Sequence, residues 1–390
     1  MRLAGSAALR DIALGLSLLL VLAVPAAAQP INIGAVLPMT GLAATYGQPY
    51  LAAVQLGIEE VNRAGGINGR MLEVTVEDSQ ASNTVAINAF NRVLQSRPVA
   101  IMGPGLGTQL LAIMPAFERE HVPVFAGPST RRVTQQGAQW FFRTTSHDAV
   151  GKELWTRLIV EDLHKRRVGI LHIANEWGYS GRDNTTAFLK SLFQLEPVSI
   201  ASYQAGDRDV TAQLLQMQRD GADIIVSQGF PVDEALIVRQ MRQLNINIPH
   251  IGSGSLCGAF LRNLVTPAEI EGHYCEGPAV LPTLSDSPAM KAFVAAYTAR
   301  ASFPPDIYAT GYYDVVRMLA EVMKRVGVDR EKIRDGFRNA SFEGVMGTYH
   351  ADAEGNLWTG SAIMHFGANG TATVVRRLNR AATEATVVPQ

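Results

Sequence analysis

The chain has 390 residues, 47% of them apolar and 18% charged, with 34 basic side chains against 35 acidic ones. Those proportions belong to an ordinary globular protein. The near-neutral balance, without any basic tract, argues against a nucleic-acid partner.

Residues 1–28 read as a signal peptide. Arg2 and Arg10 supply a positive start, Ile12 to Val24 an apolar run, and Pro25 with Ala26-Ala27-Ala28 the small residues that signal peptidase accepts, so cleavage is expected before Gln29. The run is short for a membrane span of about 20 residues, and no second apolar stretch follows it. No cysteine stands near the cleavage site, so a lipid anchor is not expected, and the location implied is the free periplasm of a Gram-negative cell. Removal of 1–28 takes away two Arg and one Asp, leaving 32 basic and 34 acidic residues. About 360 residues exceed what one hydrophobic core usually organises, so two lobes are expected.

The mature chain opens on a strand over 31–37, broken by Pro38-Met39-Thr40-Gly41. Leu51, Val54, Ile58 and Val61 repeat with helical spacing up to Gly65-Gly66. A strand over 72–76, a helix marked by Val85, Ala89, Val93 and Leu94, a strand over 99–103 and a further helix lead to the strand 122–126. The rhythm restarts with strands at 167–172, 198–200, 222–226 and 250–252, separated by helices at 185–192, 210–219 and 235–244. Short apolar strands alternating with helices predict α/β units with parallel sheets. A third part, 280–345, reads as mostly helical and is expected to pack back on the first unit. Residues 381–390 are expected to form a frayed tail.

In open parallel sheets, ligands lie beyond the carboxyl ends of the strands, where strand order reverses. Gly103-Pro104-Gly105-Leu106-Gly107-Thr108 and Gly127-Pro128-Ser129-Thr130 both join a strand end to a helix. Backbone N–H groups and a helix N-terminus there suit a carboxylate or another compact acceptor. The same stretches also read as plain strand-to-helix turns with Ser or Thr caps. Tyr46, Trp177, Tyr179, Phe230 and Tyr308 fall on loops of that end or their edges, as walls of a pocket or as packing residues. Catalytic motifs are missing: there is no G-x-S-x-G, no H-E-x-x-H among the eight His residues, no C-x-x-C and no phosphate loop. No catalytic residue, metal or cofactor is therefore expected. Cys257 and Cys275, an even pair in an oxidising compartment, read as a possible disulfide or as two separately buried thiols.

From Ile31 to Leu378 the chain resembles the leucine/isoleucine/valine-binding protein family, extracytoplasmic receptors of ABC importers. The resemblance rests on the order and spacing of Ile33 to Gly41, Ala64 to Arg70, Glu77-Asp78, Met102-Gly103-Pro104, Phe142-Arg143-Thr144, Asp306-Ile307-Tyr308, Tyr312-Tyr313-Asp314 and Phe342 to Gly347. It implies a type I periplasmic binding protein fold: α/β, two doubly wound parallel-sheet lobes joined by a three-stranded hinge. Lobe 1 is expected over 31–148 plus 280–346 and lobe 2 over 149–279 plus 347–380, with crossovers near 147–149, 278–281 and 346–349. The lobes would close over a ligand by that hinge.

The resemblance also implies site residues. Leu106, Gly107, Pro128 and Thr130 fall where the family holds the ligand carboxylate, with Gly107 in place of a serine. Tyr46, Trp177, Phe230 and Tyr308 fall on the aromatic walls. Gly254 stands where amino-acid receptors carry the acid that pairs with the ligand ammonium. Ser253 and Ser255 bring no charge, and Asp233 and Asp148 do not align. An unpartnered buried ammonium is costly, so the expected ligand is an aromatic or branched carboxylate, or an amide, over an α-amino acid. The partners implied are the permease and ATPase subunits of an importer, with the receptor itself a monomer. A sensory protein of the same fold is the alternative, and a periplasmic hydrolase a third reading.

Overall fold

The computed structural model describes residues 29–278, 282–338 and 340–379. The expected signal peptide, residues 279–281 of the second crossover and the tail 381–390 lie outside the described residues.

The first lobe begins with β1 (Ile31–Leu37), α1 (Ala44–Arg63), β2 (Leu72–Asp78), α2 (Asn83–Gln95), β3 (Ile101–Met102), α3 (Gly107–Arg119), β4 (Val124–Ala126), α4 (Arg132–Gln135) and β5 (Phe141–Arg143). The second contains α5 (Asp148–Arg157), β6 (Val168–Ile173), α6 (Glu176–Phe193), β7 (Ser199–Tyr203), α7 (Thr211–Arg219), β8 (Ile224–Gln228), α8 (Pro231–Gln243), β9 (His250–Gly252), α9 (Gly254–Cys257), α10 (Pro267–Ile270) and β10 (Tyr274–Pro278). The chain continues through α11 (Pro288–Ala301), α12 (Ile307–Val326), α13 (Arg330–Phe337), β11 (Ser341–Gly344), β12 (Gly347–Ala351), β13 (Leu357–Trp358), β14 (Gly360–Phe366) and β15 (Ala372–Asn379).

The first sheet is parallel throughout, in the order β2-β1-β3-β4-β5. The second repeats that order as β7-β6-β8-β9-β10, then adds β14 and β15 antiparallel at its edge. β1 and β6 are buried along their whole length, as strands covered by helices on both faces must be. The helical part after residue 282 does return to the first lobe. α12 and α11 pack on α1, and Tyr312, Val316, Leu319 and Met323 join the core built on β1.

The third crossover is a correction to the expected division. It lies between β13 and β14, not near 346–349. Residues 341–351 form a hairpin, β11 on β12, closed at Gly344 and Gly347. The Asp314 carboxylate from α12 ties down its turn by accepting from the Val345 N–H at 2.9 Å, the Met346 N–H at 3.2 Å and the Tyr349 hydroxyl at 3.0 Å. Tyr349, Ala351 and Leu357 therefore belong to the first lobe's core. Arg143 fixes the same segment from β5, its Nε donating to Asn356 Oδ1 at 2.9 Å.

Cys257 and Cys275 are joined in a disulfide, with Cα atoms 5.4 Å apart. The bridge fastens α9 to β10. Substituting both cysteines by serine is expected to remove about 3 kcal/mol of stability, from the chain entropy of the short loop that the bridge closes. The lowered midpoint of urea unfolding measures it; an unchanged midpoint would show that packing alone holds α9.

Candidate functional site

Strand order reverses between β1 and β3 in the first sheet and between β6 and β8 in the second. The loops that follow these strands face one another across the cleft. Between them lies a cavity lined from the first lobe by Tyr46, Tyr50, Gly105 to Thr108, Gly127 to Thr130 and Tyr308, and from the second by Asn175, Trp177 and Phe230. A second cavity adjoins it, sharing Ser129, Trp177 and Tyr308, and adds Lys152, Gln228, Ser253, Gly254 and Glu276 among its walls. Of the ten residues that the sequence marks for the pocket, eight thus meet in one cavity, Gly254 lies in its neighbour, and Tyr179 lies in neither.

At one end stand Leu106 and Gly107, at the start of α3, and the loop Pro128 to Thr130. The Thr130 hydroxyl is buried without a hydrogen-bond partner. A Cβ on Gly107 would come within 2.2 Å of Thr130 Oγ1, so the glycine leaves the room that this hydroxyl occupies. Arg143, fully buried, holds the loop from behind by donating from Nη1 to the Pro128 carbonyl and from Nη2 to Thr134 Oγ1 at 3.2 Å. An orphaned donor beside the free amides of a helix start suits a carboxylate. Thr130→Val keeps the shape and removes the hydroxyl, and should weaken a bound carboxylate by about 1.5–3 kcal/mol. Unchanged affinity in calorimetry would reduce Thr130 to a packing residue.

The aromatic walls also lock the lobes together. Tyr46 Oη lies 2.8 Å from Ser255 Oγ, and Trp177 Nε1 donates to Ser129 Oγ at 2.7 Å. Trp177 stacks on Phe230 at 5.4 Å, and Tyr46 meets Phe230 and Tyr308 edge-on at 6.3 and 6.2 Å. Tyr179 is not in the cavity. It is exposed, under the Arg182 guanidinium and edge-on to His172.

Gly254 carries no acid, and a Cβ there would stand 2.7 Å from the Tyr308 hydroxyl. The two acids weighed as substitutes have other work. Asp233 caps α8, accepting from the Phe230 N–H at 2.9 Å, and burial pushes it up to about 6. Asp148 Oδ1 accepts from Gln228 Nε2 at 3.2 Å and stands 3.8 Å from Lys152 Nζ. Neither lines either of these two cavities. The acid that does is Glu276, which accepts from Lys152 Nζ at 2.5 Å; burial raises its carboxyl above the usual range against the pull of Lys152.

Among the described residues no group of three or more His, Cys, Asp or Glu side chains could hold a metal ion, and no helix is long and apolar enough to cross a membrane.

A family model described as periplasmic binding protein matches residues 30–371. The chain belongs to this periplasmic binding protein family. The leucine-, isoleucine-, valine-, threonine- and alanine-binding protein of Pseudomonas aeruginosa is 25% identical to it over 85% of this chain and 88% of that relative. The branched-chain amino acid transporter substrate-binding protein LivJ of Streptococcus pneumoniae, solved with isoleucine, superposes with a TM-score of 0.80 at 25% identity, over 89% of this chain and 99% of the other. A solute-binding protein of an ABC transporter from Rhodopseudomonas palustris, solved with benzoate, shares the fold, with a TM-score of 0.81 at 17% identity over 90% and 96% of the two chains. The function of this periplasmic binding protein is to bind a solute.

Tyr50 and Lys152 also line the cavities of this periplasmic binding protein, though no motif marks either of them. Tyr50 follows Tyr46 by one helical turn, so its place was legible. Lys152 meets Glu276 only through the fold, 124 residues away.

Proposed function

We propose that this periplasmic binding protein captures an aromatic or branched carboxylate, or an amide, in preference to the matching α-amino acid, and delivers it to the permease and ATPase subunits of an ABC importer. The protein acts as an exported monomer and does no covalent chemistry. The observation that carries this reading is Gly254 beneath the Tyr308 hydroxyl. Where an ammonium would need a free acid, the site offers a phenol and Glu276, whose carboxylate is already paired with Lys152 at 2.5 Å. The carboxylate end keeps its donors at Gly107 and Thr130, and the aromatic walls suit an apolar body. The Streptococcus relative, a transporter substrate-binding protein for branched-chain amino acids, supports the transport role, while the choice of ligand class rests on the site.

The test is calorimetry with matched pairs: 4-methylpentanoate against leucine, and 3-phenylpropanoate against phenylalanine. The deaminated member of each pair is expected to bind. Micromolar binding of leucine or phenylalanine, with no binding of the deaminated partners, would overturn the reading.

A further inference from the structure

Beyond Gly254 the second cavity rests on a chain of buried hydrogen bonds that the carboxylate end does not use. Ser253 lines that cavity. Its hydroxyl donates to Glu234 Oε1 at 2.7 Å, with the Gly229 carbonyl at 3.0 Å as the other acceptor, and its N–H donates to the same carboxylate oxygen at 3.1 Å. Glu234 Oε2 accepts from Ser227 Oγ at 2.5 Å. Ser227 Oγ lies 2.8 Å from His250 Nε2, and His250 Nδ1 lies 3.0 Å from His273 Nδ1. Glu234, Ser227, His250 and Ser253 are buried, and His273 reaches partial exposure.

Proton bookkeeping allows two complete arrangements. In the first, Ser227 donates to an ionised Glu234, His250 carries its proton on Nε2 and donates to Ser227, and His273 Nδ1–H donates to the bare His250 Nδ1. In the second, a protonated Glu234 donates to Ser227, Ser227 donates to His250 Nε2, and His250 Nδ1–H donates to His273. The two differ by one proton, which enters at His273 Nε2 and leaves every member satisfied. Burial supports this use of the groups: it raises Glu234 to about 7 and keeps both imidazoles neutral, with His273 lowered to about 4.

We propose that Ser253, backed by Glu234, accepts a hydrogen bond from a hydroxyl on the ligand, standing where an amino acid carries its ammonium, so that the preferred class is a hydroxy-substituted carboxylate. This rests on the carboxylate reading above. Ser253 gives its own proton to Glu234, which leaves its oxygen as an acceptor, and an ionised carboxylate behind it strengthens that acceptor. A neutral hydroxyl needs no charged partner, and the acid lining this cavity, Glu276, is already paired with Lys152. Protonating Glu234 through the Ser227–His250–His273 chain weakens the acceptor without opening the cleft. The other titratable groups facing this chain are Asp233 on the same helix, the Tyr46 and Tyr203 rings, His365 beside His273, and Lys152 with Glu276 across the cavity.

The experiment compares 3-phenylpropanoate, 3-phenyllactate and phenylalanine, which share one skeleton and differ only in the substituent beside the carboxylate. On the full mature chain at about pH 8, 3-phenyllactate is expected to bind about 5- to 10-fold more tightly than 3-phenylpropanoate. The advantage should shrink as the pH falls to about 6, through the value at which Glu234 takes its proton. Ser253→Ala should bring the ratio of the two to about one, and Glu234→Gln should make it independent of pH. Asp233→Asn should leave the pH dependence in place, since Asp233 caps its helix outside the chain. Equal affinities at the higher pH, or an advantage that survives Ser253→Ala, would overturn the inference while 3-phenylpropanoate still binds. Loss of both acids with retention of phenylalanine would instead overturn the carboxylate reading, and this inference with it.

Discussion

Lys152→Met should destabilise the fold by about 3–5 kcal/mol, because it strands carboxylates that the fold has removed from water. Lys152 is 1% exposed, with its ammonium 2.5 Å from Glu276, 3.8 Å from Asp148 and 4.0 Å from the centre of the Trp155 ring. Glu276 Oε1 packs against Gly151 of α5, which leaves no room for water on that side of the carboxylate. The double variant Lys152→Met with Glu276→Leu should recover much of the loss, as a buried pair contributes little over apolar residues of its size. The defect in the single variant should also narrow in acid. Burial raises Glu276 in the folded state, so its contribution to stability is present below the ordinary carboxylate pKa and is lost as the pH rises through the raised one. Without Lys152 to oppose it, that rise becomes larger. Urea midpoints at about pH 5 and about pH 8 measure both effects; a loss near 1 kcal/mol, equal at both, would mean that Lys152 acts as apolar filler.

The preference of the site should reverse when an acid is placed at position 254, provided that room is made for it. Losing one partner of a buried charge pair costs about 3–5 kcal/mol, so 4-methylpentanoate is expected to bind several hundred-fold more tightly than leucine. Gly254→Glu alone should weaken every ligand, because its Cβ meets the Tyr308 hydroxyl at 2.7 Å. The Tyr308 ring carbon behind that hydroxyl is 3.7 Å away and the Glu276 carbonyl 3.5 Å, both ordinary contacts. Gly254→Glu combined with Tyr308→Phe therefore removes the clash while keeping the aromatic wall. This double variant should bind leucine better than 4-methylpentanoate. If it keeps the parent's preference in calorimetry, the identity of residue 254 does not choose the ligand.

Much of the architecture was written in local pattern. The apolar runs of β1 and β6 and the helical spacing through Leu51, Val54 and Ile58 carry their own period, and the loops at the strand ends follow from the parallel order. What escaped depends on partners distant in sequence. The stretch 346–349 has the look of a crossover, yet it belongs to the first lobe because Asp314 of another helix binds the Val345 and Met346 amides and the Tyr349 hydroxyl. The two glycines of the site were legible as departures but not as shapes. Gly107 and Gly254 each look like a lost function, while in the fold Thr130 and Tyr308 reach into the space that each leaves. A sequence shows which side chain is missing and not which neighbour fills its place.

The disulfide has a consequence for speed and affinity as well as for unfolding. It anchors α9, which carries Gly254 and Ser255 at the rim of the cleft, to β10, which carries Glu276 on the cleft floor. Rim and floor are thus fixed to each other whether or not the lobes are apart. A solute entering the cleft meets the α9 and β10 parts of its wall already tied to each other, so capture need not order that segment. Preorganisation of this kind favours tight binding by lowering the ordering cost of association. In an oxidising compartment the receptor keeps that advantage, and a reduced form that still folds would release its solute sooner.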